Sequence, residues 1–118
     1  MASHYEKGSE GEKIAADYLR KKGFRIISQN WRYRHKEVDI IAFDKEELVI
    51  VEVKLRSTDY FGNPSEAVTM KKQRFLIEAA EAYLDTRDDE PEVRFDIVSI
   101  ISGSGEDKIE HITDAFNP

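Results

Sequence analysis

Two apolar-rich runs, Val38–Phe43 and Leu48–Leu55, flank the polar segment Asp44-Lys45-Glu46-Glu47, and this pattern predicts a β-hairpin. A symmetric turn sets Ile41 opposite Ile50, Phe43 opposite Leu48 and Asp39 opposite Glu52. Val38, Ile40 and Ala42 then meet Val53, Val51 and Val49 on the other face. Both faces are mostly apolar, as expected of a sheet covered on two sides.

The flanking chain supplies the covering elements. A helix is predicted from about Glu6 to Lys22, with Ile14, Ala15, Tyr18 and Leu19 as its apolar stripe and Gly23 as its stop after the basic turn Arg20-Lys21-Lys22. Gly8 and Gly11 in its first turns would let another chain segment approach closely. Phe24–Tyr33 reads as a strand, in which Trp31 and Tyr33 are packing residues in preference to base-stacking platforms. Arg34-His35-Lys36 makes a basic turn into the hairpin, and Arg56–Asn63 a polar loop placed to cover or line its open end. Asn63 as N-cap, Pro64 and Glu66 form a capping box for a second helix running to about Leu84, packed through Ala67, Met70, Phe75, Leu76, Ala79, Ala80 and Tyr83.

Asp85–Glu92 is an acidic loop, Val93–Ile101 a strong strand with Phe95, Ile97, Ser99 and Ile101 on one face, and Lys108–Ile112 a short final strand. The intervening Ser102-Gly103-Ser104-Gly105 has neither the following helix nor the lysine of a phosphate-binding loop. Phe116 is expected to tuck onto the body. The order α-β-β-β-α-β-β predicts a single α/β domain over residues 1–118, a central mixed sheet with helices on both faces.

Within this frame Asp39 and Glu52 are the anomaly. Opposed Cβ atoms on paired strands lie about 4.5–5.5 Å apart, where like charges repel, and burying unpaired carboxylates adds a desolvation cost. A divalent cation removes both penalties, and oxygen ligands suit Mg²⁺ or Mn²⁺. Lys54 follows on the same face of the strand, about 6.6–6.8 Å along. Metal, acids and ammonium together suit phosphodiester hydrolysis. The plainer reading is a solvated face on which Glu37 and Lys54 form an ordinary cross-strand ion pair. Glu12 shares the buried side of the first helix and is either a third acid at the metal or an N-terminal acid stabilised by the helix dipole.

Charge bears on the partner. Eighteen Lys and Arg against 24 Asp and Glu give a net charge of −6, which argues against a general nucleic-acid binder. The acid is concentrated in Asp85–Glu92 and Glu106–Glu110, whereas positive residues gather at Arg32–Lys36, Lys54–Arg56 and Lys71–Arg74. Arg32, Arg34 and Lys36 lie toward the acid end of the hairpin, so phosphate contact and a merely solvated turn are both open. The same two readings apply to Lys71, Lys72, Gln73 and Arg74. His4, His35 and His111 lack metal-ligand spacing, and with no cysteine both disulfides and thiolate metal sites are excluded. No apolar run approaches a membrane span of about 20 residues and no signal-peptide pattern opens the chain, so a cytoplasmic protein is expected.

An acid in the first helix (Glu12), an acid on the second strand (Asp39) and the E-x-K of the third (Glu52, Lys54) resemble the PD-(D/E)xK, restriction-endonuclease-like superfamily with its αβββαβ core. The opening Lys7–Glu12 through Gly23-Phe24 looks like that of archaeal Holliday junction resolvases. A fuller resemblance is to the bacterial YraN-like family, described as resolvase- or endonuclease-like. It is carried by G-x-x-G-E-x-x-A at Gly8–Ala15, Asn30-Trp31-Arg32, E-V-D-I-I-A at Glu37–Ala42, V-E-V-K-x-R at Val51–Arg56, Lys72-Gln73, R-F-D-I-V at Arg94–Val98 and D-A-F at Asp114–Phe116. Val38 stands where the superfamily motif carries Pro.

This resemblance implies Asp39, Glu52 and the backbone carbonyl of Val53 as metal ligands, Lys54 as the catalytic lysine and Glu12 as an accessory acid. It also implies Lys72 and Gln73 near the site; Arg32, Arg34, Lys36 and Arg56 are candidate nucleic-acid contacts from their place and charge alone. The expectation is a Mg²⁺- or Mn²⁺-dependent nuclease acting on DNA, branched or otherwise structured. Resolvase-like function would call for a two-fold homodimer, for which the sequence carries no independent signal. The alternatives are a nucleic-acid-binding module of the same fold without useful catalysis, and a protein-interaction adaptor using the acidic surface.

Overall fold

A computed structural model describes residues 4–57, 68–102 and 107–118, with side chains placed for 10–56, 68–101 and 107–118. Helix α1 runs over His4–Lys21. Gly23 adopts φ 98°, the left-handed conformation that favours glycine, while its amide donates to the Arg20 carbonyl at 3.0 Å and the Phe24 amide to the Leu19 carbonyl at 2.9 Å. These two bonds make a Schellman ending, and they turn the chain directly into strand β1, Arg25–Tyr33.

Strands β2 (Lys36–Asp44) and β3 (Glu47–Ser57) are the expected hairpin, and Ile41 pairs with Ile50 and Phe43 with Leu48 as the symmetric turn requires. Lys45, at φ 56°, takes the left-handed position of that turn. Helix α2, Met70–Leu84, leads to β4, Val93–Ser102, and β5, Lys108–Ile112, closes the fold. The sheet order is β1-β2-β3-β4-β5, with β3 and β4 parallel and every other neighbour antiparallel. The mixed sheet is thus built on a β3–α2–β4 crossover.

Two apolar layers cover the sheet. Ala15, Ala16 and Leu19 of α1 pack with Ile40, Ala42, Val49, Val51, Val98 and Ile100, while Leu76, Ala79, Ala80 and Tyr83 of α2 pack with Ile41, Phe43, Leu48, Ile50, Phe95 and Ile97. Phe116 stacks on Phe95 at 4.9 Å, held by the Ala115 amide donating to the Phe95 carbonyl. No helix among the described residues is long and apolar enough to cross a membrane.

The structure departs from strict hairpin alternation at one place that matters. Val38 packs in the α2 layer together with Ile41, not with Ile40 and Ala42. The face changes across Asp39, opposite Asn30, whose left-handed φ of 55° interrupts the β1–β2 ladder between the pairs Gln29–Ile40 and Trp31–Val38.

Other expectations shift locally. Val68 and Thr69 are not helical, and α2 begins at Met70 because the Thr69 hydroxyl accepts the Lys72 amide at 3.2 Å as N-cap. Met70, first in the helix, is exposed and does not pack as expected. Arg56 belongs to β3 and not to a loop. The Asn63–Glu66 capping box, Ala67, the rest of the loop through Gly62, and the turn residues 103–105 lie outside the described residues.

Candidate functional site

The backbone pairing of β2 with β3 ends at Ile40–Val51, although β2 continues to pair with β1 as far as Lys36. The β1–β2 end therefore parts from β3, and the gap opens at Asp39 and Glu52. The Val53 amide, left without a ladder acceptor from β2, donates instead to Asp39 Oδ2 at 2.8 Å. This bond holds Asp39 across the gap, at the residue where the face changes opposite Asn30.

Glu52 is 3% exposed in the apolar surroundings of β3. Its Oε2 lies 3.5 Å from Lys54 Nζ and its Oε1 3.6 Å from Lys72 Nζ. The Glu37–Lys54 pairing of the solvated-face reading is replaced by this one: Glu52 is buried and Lys54 turns to it. Burial, reinforced by the charges of Glu52 and Glu12, pushes the Asp39 carboxyl from its ordinary 3.8 up to about 8, although the Val53 amide works in the opposite direction. Glu12 is thus an electrostatic neighbour of Asp39. Gly11 sits under Leu55 of β3: a Cβ there would stand 2.9 Å from Leu55 Cδ2, so that side chain would have to shift.

Two buried oxygens have no hydrogen-bond partner among the described residues, Glu52 Oε1 and Ser99 Oγ, and Ser99 is the β4 register partner of Lys54. An acceptor oxygen without a donor, beside a second carboxylate whose charge is suppressed, fits a hard divalent cation. The available donors are the Asp39 and Glu52 carboxylates with the Val53 carbonyl. No cluster of three or more His, Asp or Glu ligands is gathered among the described residues.

The remaining candidates separate by place. Gln73 Nε2 donates to the Val68 carbonyl at 3.1 Å and so steadies the entry to α2. Arg34 lies over the Tyr33 ring at 5.2 Å, and Lys36 over Phe75 at 5.6 Å. Arg32 is exposed on β1. Arg56 lines a cleft of about 400 Å³ with Gly11, Ile14, Leu55 and Ile100 on the α1 side.

A second polar centre was not legible as such. Arg94 Nε and one terminal nitrogen donate to the two Asp96 oxygens at 2.9 and 3.0 Å, while its other terminal nitrogen reaches Asp44 at 3.0 Å and Glu47 at 3.1 Å. His111 Nε2 lies 2.8 Å from Asp96 Oδ2, and its Nδ1 lies 3.2 Å from Lys22 Nζ. His111, which lacks metal-ligand spacing in the sequence, is thus part of a hydrogen-bonded network. Burial pushes the Asp96 carboxyl up, but hydrogen bonds from His111, Arg94 and the Asp114 amide outweigh it and hold it below the ordinary range. The signal in the sequence is an Arg-x-Asp on alternate positions of an otherwise apolar strand. The network ties β4 and β5 to the hairpin turn and the end of α1.

A protein from Christiangramia forsetii is 47% identical to this chain over 116 residues, covering 98% of each chain, and one from Bacteroides thetaiotaomicron is 45% identical over 118 residues, covering 100% of this chain and 98% of its own. A protein from Chlorobium phaeobacteroides is 44% identical over 119 residues, covering 95% and 94%. All three carry the name UPF0102 protein. Residues 11–100 match the uncharacterised protein family UPF0102. On this match and these relatives, the chain belongs to UPF0102, the YraN family that its motifs resemble.

Proposed function

We propose that this protein is a metal-dependent nuclease of the PD-(D/E)xK type that hydrolyses phosphodiester bonds in DNA, with branched or otherwise structured DNA as its substrate. The observation that carries the reading is the crowding of Asp39 and Glu52 where β2 leaves β3, with Lys54 on Glu52 at 3.5 Å. Asp39, Glu52 and the Val53 carbonyl would hold Mg²⁺ or Mn²⁺. When bound, that ion supplies Lewis-acid polarisation of the phosphate and a more acidic water.

The chain's own residues do the rest. The Val53 amide donates to Asp39 Oδ2 and so fixes the carboxylate, since donor and acceptor are both tied to the sheet. Lys54 orients the attacking water and offsets charge that develops on the phosphoryl oxygens. Lys72 steadies the second Glu52 oxygen. Glu12 adds negative charge on the α1 side, which favours a cation between the acids.

One observation favours a second reading, a nucleic-acid-binding module without turnover. Two lysines stand by Glu52 and balance its charge without a cation. A panel of linear, flapped, four-way and single-stranded DNA, each with Mg²⁺, Mn²⁺ or EDTA, separates the two. The nuclease reading expects metal-dependent products that Lys54→Ala and Asp39→Ala abolish. The module reading expects equal binding in metal and EDTA, and no products. Robust cleavage by both purified variants excludes the assigned roles.

A further inference from the structure

Beside the acids, the α2 layer ends in an aromatic shelf. Tyr33, near the end of β1, and Phe75, on α2, are both half-buried, with ring centroids 5.9 Å apart and planes inclined at 40°. Trp31 stacks parallel to Tyr33 at 6.3 Å and meets Tyr83 edge-on at 5.3 Å, which anchors the shelf to the core. Three cations lie on the outer rings: Arg34 over Tyr33, and Lys36 and Lys72 over Phe75 at 5.6 and 5.3 Å. Arg34 and Lys36 are exposed and have no carboxylate partner among the described residues. Lys72 joins the shelf to the site, since its Nζ also stands 3.6 Å from Glu52 Oε1.

Lys22 over Tyr18 and Arg25 over Phe43 repeat the cation-on-ring contact elsewhere, but among the described residues only here do three cations crowd two neighbouring half-open rings beside the acids. A duplex offers such a shelf only phosphates, because its bases are stacked on each other. An unpaired nucleotide offers both parts, a base for a ring and a phosphate for a cation. We infer that Tyr33 and Phe75 stack the bases of unpaired DNA nucleotides, with Arg34, Lys36 and Lys72 on the flanking phosphates. Exposed Arg34 and Lys36 swing off the ring faces to admit the base and keep their charge within reach of the backbone. The inference deepens the nuclease reading, giving it DNA with unpaired bases next to the acids as substrate class. The shelf itself does not depend on turnover.

Trp31, the one tryptophan of the chain, reports on the shelf from within. Its fluorescence is followed in EDTA at low salt while the full chain is titrated with single-stranded oligothymidylate, an abasic strand of equal length, and a blunt duplex. The expected result is tighter binding of oligothymidylate than of the other two, weakened about tenfold for each ring in Tyr33→Leu and Phe75→Leu. Tyr33→Phe keeps the ring and is expected to bind as the parent does, which separates lost stacking from a damaged fold. Equal binding of the abasic strand, or oligothymidylate binding unchanged in both leucine variants that retain the parent's circular dichroism, overturns the inference. Base-dependent binding in a protein that never cleaves keeps the shelf and sinks the nuclease, so the two failures are distinct.

Discussion

Asp39 Oδ2 accepts the Val53 amide proton at 2.8 Å, and that bond stands where the β2–β3 backbone ladder has already stopped. A side chain has replaced a main-chain acceptor at the site of the acid pair. The position of Asp39 is thereby fixed by the sheet itself, where burial and the Glu52 charge both disfavour its ionised form.

Removing the ammonium beside Glu52 should cost rate and little else. Lys54→Ala is predicted to lower metal-dependent cleavage by about 10²–10³-fold, the usual scale for a group that offsets transition-state charge, with DNA binding nearly unchanged. Single-turnover rates against binding curves measure both. A variant that binds DNA poorly and cleaves what it binds at the parent rate would contradict this role.

The acid pair also predicts a pH dependence of stability in metal-free protein. Burial and the Glu52 and Glu12 charges raise Asp39 from 3.8 to about 8 in the folded state, so between these values the native chain holds a proton that the unfolded chain has lost. Stability from this group is complete below about pH 4 and declines as pH rises toward about 8. Urea melts in EDTA from acid to mildly alkaline pH should show the decline in the parent and a flatter profile in Asp39→Asn. Parallel profiles for the two proteins would show that the pair carries no such strain.

Asp96 behaves in the opposite sense. Its carboxyl is held below the ordinary range, so its contribution is present above about pH 4 and is lost as the pH falls through the lowered folded value. Arg94→Ala leaves this buried carboxylate with only His111 and the Asp114 amide and is predicted to destabilise the fold by about 2–3 kcal/mol. Asp44→Ala, at the more exposed end of the same arginine, should cost less than about 1 kcal/mol. Chemical denaturation of the two variants compares them directly; similar losses would move the weight of the network to the hairpin turn.

The helix cap offers a smaller, local test. Thr69→Ala removes the hydroxyl that accepts the Lys72 amide and is predicted to cost about 1 kcal/mol. Because Lys72 begins the turn that faces Glu52, Thr69→Ser should restore both stability and the behaviour of the site. Failure of serine to restore them would point to the methyl group and not the cap.

The hairpin and its register were legible because period-two alternation and a symmetric polar turn leave few other pairings. Asp39 and Glu52 stood out for the same reason, as charges within apolar rows. The splay at Asp39 was not legible: it depends on Asn30 adopting φ 55° on a neighbouring strand, which no local pattern encodes. Met70 misled because its spacing suits a helix face, while its place at the first helical position leaves it exposed. Asp96 and His111 lie 15 residues apart on antiparallel strands, so their contact follows from β4–β5 pairing and not from ligand-like spacing.

The central claim is that the Asp39–Glu52 pair is a cation site. Calorimetric titration of Mn²⁺ into the full chain with uncleavable structured DNA present tests it most directly. Binding by the parent that is lost in both Asp39→Asn and Glu52→Gln is the predicted result. No heat with the parent, or equal heats with all three proteins, would contradict it.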